Sequence, residues 1–102
     1  MKEFNKLVRD KIPDIIKSNG EVPICLILND EEYLRELNIK LLVEVNEFLA
    51  RGEVVELSYL EAVLRAIVCI KGVDEDDFDI IRLSKATKRG AFNDKIFLER
   101  TE

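Results

Sequence analysis

The stretch EVNEFLARGEVVELSY, Glu44–Tyr59, decides the fold, because two apolar-periodic segments meet inside it. Upstream, Leu34, Leu37, Leu41, Leu42, Val45, Phe48 and Leu49 recur at helical spacing. They predict a helix capped by Asn29 or Asp30, favoured by Glu31 and Glu32 at its positive end, and running to about Ala50. Gly52 stops it. A second helix is predicted from Val54 to about Ile70, ending at Gly72. So tight a connection makes the two antiparallel neighbours.

Shorter elements flank this hairpin. DKIPDIIKSNG (10–20) reads as a short helix, with Pro13 in the first turn and Asn19-Gly20 as its stop. EVPICLIL (21–28) is β-branched and reads as a short extended segment or strand, although Pro23 argues against a central strand. Asp74 caps a last helix, EDDFDIIRLSKATKR, which stops at Gly90. The tail AFNDKIFLERTE (91–102) reads as an extended packing arm. The expected fold is all-α: a small antiparallel helical bundle forming a single domain over residues 1–102.

Composition narrows the function classes. The chain has 102 residues, 47% of them hydrophobic and 36% charged, which suits a globular protein rather than a disordered one. A net charge of −5 argues against a general nucleic-acid binder. No apolar run is long enough to span a bilayer, and the charged opening MKEFNKLVRDKIP is unlike a secretion signal. The absence of histidine excludes imidazole-based nucleophile activation and imidazole metal ligation. Any metal would be a hard one on carboxylates, magnesium or manganese. Cys25 and Cys69 lie in apolar runs outside any metal-ligand spacing, and read as reduced core residues of a cytoplasmic protein. The helix from Val54 to Ile70 is apolar on nearly every side, which suggests a subunit interface and hence a homodimer or homotetramer.

Three glutamates border or enter the apolar stripes. Glu44 lies roughly 20° from Leu37 on a helical wheel, and Glu47 roughly 60° further round. The solvated alternative for both is an i,i+4 ion pair: Lys40 with Glu44, and Glu47 with Arg51. Glu56 lies within roughly 40° of Leu60, Val63 and Ile67, in the middle of an apolar face. No basic residue of its own helix shares that face close by. A buried, unpaired carboxylate costs several kcal/mol or takes up a proton. Its alternatives are a position near the first helical turn, exposed or favoured by the dipole, or convergence with Glu44 and Glu47 on a divalent cation.

The segments NKLVRDKIP (5–13), Glu44-Val45-Asn46-Glu47 and KRGAFNDKIFLE (88–99) together resemble the all-α NTP pyrophosphohydrolases. That is the MazG-like and phosphoribosyl-ATP pyrophosphohydrolase-like group, and especially its short single-domain house-cleaning members. The resemblance covers almost the whole chain. It implies magnesium-dependent cleavage of a nucleoside triphosphate between the α and β phosphates, giving a monophosphate and pyrophosphate. It implies that Glu44, Glu47 and Glu56 are metal ligands and the catalytic carboxylates. It also implies that Arg9, Lys11, Lys88 and Arg89 bind substrate. From the residues alone, Lys88 and Arg89 equally suit the negative end of a helix that stops at Gly90. The sequence departs from the family pattern at Tyr59, which stands where the second motif has Asp. A neutral phenol is a poor magnesium ligand. The alternative is therefore a weakened or inactive member that binds nucleotide or metal, or serves as an oligomeric scaffold.

Overall fold

A computed structural model describes residues 2–102. Four helices follow one another: α1 (Ile12–Ser18), α2 (Asp30–Arg51), α3 (Val54–Ile70) and α4 (Glu75–Arg89). There is no strand among the described residues. The chain is all-helical, as its periodicities require.

Helix boundaries follow local chemistry. At the start of α2 the Asn29 side chain accepts from the Glu32 amide at 2.9 Å, and the Asn29 amide donates to Glu32 Oε1 at 3.3 Å. This reciprocal capping box satisfies two amides that the helix leaves unpaired. The helix ends where Gly52 turns left-handed, φ 69°, and its amide donates to the Phe48 carbonyl at 2.7 Å. Helix α4 begins on Asp74, whose carboxylate accepts from the Asp77 amide at 2.8 Å. Three acids fill the first turn of α4 and two bases its last, both matching the helix dipole.

Helices α2 and α3 pack together across the Gly52-Glu53 turn, and their contact holds the buried residues Leu37, Val63 and Glu56. Helix α4 touches only the far half of α3, where Arg65 pairs with Asp79 at 3.6 Å and stacks on Phe78. Helix α1 packs against no other described helix. The molecule is accordingly long, 63 × 32 × 22 Å, with a radius of gyration of 18.2 Å. A compact chain of this length has a radius of about 13 Å.

Three sequence expectations require correction. Of the two readings of EVPICLIL, a short extended segment or a strand, the strand is absent: it has no neighbouring strand to pair with, Pro23 lacks an amide donor, and Val22, Ile24, Leu26 and Ile27 are exposed. Cys25 and Cys69 are exposed rather than core residues, because none of the described residues encloses either. The tail does not pack on the helices: it makes one turn, with the Lys95 amide donating to Phe92, and leaves Phe92, Ile96, Phe97 and Leu98 exposed.

Candidate functional site

Helix α3 turns Glu56 toward α2, as its wheel position requires, and the carboxylate is among the most enclosed side chains described. Its cationic partner comes from the preceding helix. Arg51 Nη1 lies 3.6 Å from Glu56 Oε1, and Arg51 Nε lies 3.3 Å from Glu47 Oε2. Arg51 is the last residue of α2, so the tight turn swings its guanidinium across the first turn of α3. The pairing is asymmetric: the Glu56 side chain is 6% exposed and that of Arg51 is 62%. Hence the carboxylate is shielded while its counter-charge remains largely solvated.

Glu44 is engaged elsewhere. Lys40 Nζ approaches Glu44 Oε1 at 3.8 Å, one turn back along α2. The structure thus gathers Glu47 and Glu56 around one guanidinium and holds Glu44 on a separate ammonium. Among the described residues no three acidic or cysteine side chains form a group able to hold a metal ion. Two carboxylates that share one cation are a hard-oxygen donor set with the right chemistry for magnesium or manganese.

The N-terminal segment reaches this region. The Arg9 guanidinium lies over the Tyr59 ring, 5.3 Å from its centroid. Tyr59 follows Glu56 by three residues on α3, so the stack sets Arg9 about one turn from the buried carboxylate. Lys11 is exposed at the start of α1, and Lys88 and Arg89 are exposed in the last turn of α4. None of these three forms an ion pair among the described residues. Two concavities run along the tail, lined by residues 89–96 and by Ile96–Arg100 with Glu102, and neither includes Glu44, Glu47 or Glu56.

Two features of the region escaped sequence reasoning. The Arg51–Glu56 pair joins different helices, so neither wheel contains it; the shortness of the turn was the available signal. The Arg9–Tyr59 stack joins a loop to a helix across about fifty residues of chain, and nothing local marks it.

No family model matches the chain. No solved structure matches it significantly. The chain is similar to an uncharacterized protein of Mycolicibacterium smegmatis, 44% identical over 45 residues, which are 44% of this chain and 46% of that protein. The chain thus matches less than half the length of that relative. Among the described residues no helix is long and apolar enough to cross a membrane.

Proposed function

We propose that the chain is a divalent-metal-dependent nucleotide pyrophosphohydrolase, converting a nucleoside triphosphate or related nucleotide to a monophosphate and pyrophosphate. The observation that supports this reading best is the buried Glu56 at the α2–α3 turn, sharing one cationic group with Glu47. A carboxylate drawn into an apolar face contributes little to stability unless it serves a cation or a reaction. The sequence resemblance to all-α NTP pyrophosphohydrolases points the same way.

In this reading Glu47 and Glu56 would hold Mg2+ or Mn2+, and Glu44 would join them as the third carboxylate on leaving Lys40. Such an ion, when bound, would supply neutralisation of phosphate charge and a more acidic water as nucleophile. One of the carboxylates accepts the proton of the attacking water. Arg9, Lys11, Lys88 and Arg89 bind the phosphates, where guanidinium groups match the oxygens in pairs. The protein works as a homodimer or homotetramer in the cytoplasm, without nucleic acid or membrane.

A second reading is favoured by Tyr59. Its ring already serves Arg9, which suits a chain that binds a nucleotide or metal without turnover, or acts as an oligomeric scaffold. Pyrophosphate release from a panel of nucleoside triphosphates, with and without Mg2+, separates the two. The enzyme reading expects metal-dependent release that falls at least a hundredfold in Glu56→Gln, a substitution that preserves side-chain shape. Equal release by wild type and Glu56→Gln overturns the assigned site. No release across the panel, with calorimetry still detecting nucleotide, supports the binding reading.

A further inference from the structure

Helix α2 carries two apolar stripes on opposite sides. One contains Leu37 and faces α3. The other runs along Ile39, Leu42, Val43, Leu49 and Ala50, all within roughly 60° of Asn46 and roughly opposite Leu37 on the wheel. Its large residues are 52%, 62%, 47% and 73% exposed in that order, and Val54 just past the turn is 80% exposed. A helix that is apolar on both sides is normally covered on both. The chain as a whole exposes 9433 Å². A compact chain of its mass exposes about 5,900 Å². The excess is about four times the ~800 Å² that each partner gives to a standard interface.

We propose that the outer stripe of α2 is covered by the same stripe of a second copy, the two helices running antiparallel about a two-fold axis at Asn46. The stripe is self-complementary in this register. Asn46 meets its symmetry mate, where two amides can hydrogen-bond each other. Val43 then shares a layer with Leu49 of the second copy and Leu42 with Ala50, while Ile39 lies level with the exposed Glu53 just past the helix end, next to Val54. Leu42, Val43 and Leu49 each gain an apolar neighbour. The single polar residue falls on the axis, where a buried asparagine fixes register. Shifting the axis toward Val43 would bury Asn46 against Ile39 and leave its amide unpaired. An isologous contact of this kind closes on itself, giving a dimer or a pair of dimers. The proposal goes beyond the enzymatic reading and stands whether or not the chain turns over nucleotide.

The test combines mass and cross-linking on the full chain. With Cys25→Ser and Cys69→Ser as background, mild oxidation of Asn46→Cys should give a covalent dimer. Ile39→Cys should not, because its mate lies about 21 Å away along the antiparallel axes, far beyond disulfide reach. Sedimentation should find wild type as a dimer or a multiple of it, and Leu42→Glu as a monomer with helical content retained. Phe97→Asp should leave the mass unchanged. Three results each overturn the proposal: a monomeric wild type, a dimer that survives Leu42→Glu but not Phe97→Asp, or cross-linking of the Ile39→Cys variant in place of the Asn46→Cys variant. Should Leu42→Glu fail to fold, the two cysteine variants decide alone.

Discussion

Arg51 couples a solvated guanidinium to a shielded carboxylate, and the asymmetry sets what its removal costs. Breaking a buried pair by deleting one partner costs about 3–5 kcal/mol. Arg51 is well solvated, so its share is discounted toward the value of an exposed pair. We expect Arg51→Ala to destabilise by about 1–2 kcal/mol, read from the urea midpoint. Adding Glu56→Gln to Arg51→Ala should recover part of that loss, because the orphaned charge is then gone. Strict additivity of the two substitutions would show that the contact carries no coupling. Tyr59 supports a second expectation. It lies one turn from Glu56, so Tyr59→Asp adds a carboxylate on the same side of α3. Calorimetry with Mn2+ alone should then show affinity raised about tenfold or more, since cation affinity follows ligand charge. Unchanged affinity, with only the slight destabilisation expected from losing the Arg9 stack, would mean that this position does not face the proposed cation site.

The ends of α2 are fixed by two different devices, and each has its own cost. Asn29→Ala removes the acceptor of the capping box and should cost about 1 kcal/mol. Gly52 has φ 69°, and an added Cβ there would meet nothing within 4 Å. Gly52→Ala should therefore cost about 1–2 kcal/mol from backbone strain alone, with no steric clash. Thermal melts of both variants check these values; a Gly52→Ala protein as stable as wild type would show that the turn tolerates another conformation. Devices of this kind explain what the sequence disclosed. The limits of α2, α3 and α4 are written in adjacent residues: Asn29 with Glu32, Gly52, Gly72, Asp74 and Gly90. The inward turn of Glu56 followed from its wheel position for the same reason. The strand reading of EVPICLIL failed because strand propensity specifies a strand only where a second strand pairs with it. Cys25 and Cys69 misled because apolar neighbours in sequence do not ensure packed neighbours in space. The partner of Glu56 depended on how two helices meet, which no single periodicity contains.

A hairpin with Leu37 and Val63 as its buried apolar residues makes a small core for 102 residues. Burying a leucine or valine side chain fully contributes about 1.5–3 kcal/mol. Ordering each residue costs about 1–2 kcal/mol in backbone entropy alone. The partly buried residues of α2 and α3 add to the favourable side, but twenty-three large hydrophobics among the described residues remain exposed and contribute little. On the proposed self-association, part of the stability comes from the second copy, and association follows mass action. Raising the protein concentration a hundredfold should raise the melting temperature by roughly 5–10 °C, the shift expected when a few kcal/mol are added to chains of this size. Calorimetric scans between micromolar and hundreds of micromolar protein check it. A monomeric mass together with a concentration-independent melting temperature would mean that the open hairpin sustains itself, and that its exposed stripes belong to some other contact. The stripe on the outer side of α2 makes the expectation specific: Leu42→Glu should abolish the concentration dependence as well as lower the melting temperature, whereas Asn29→Ala should lower the temperature and leave the dependence intact.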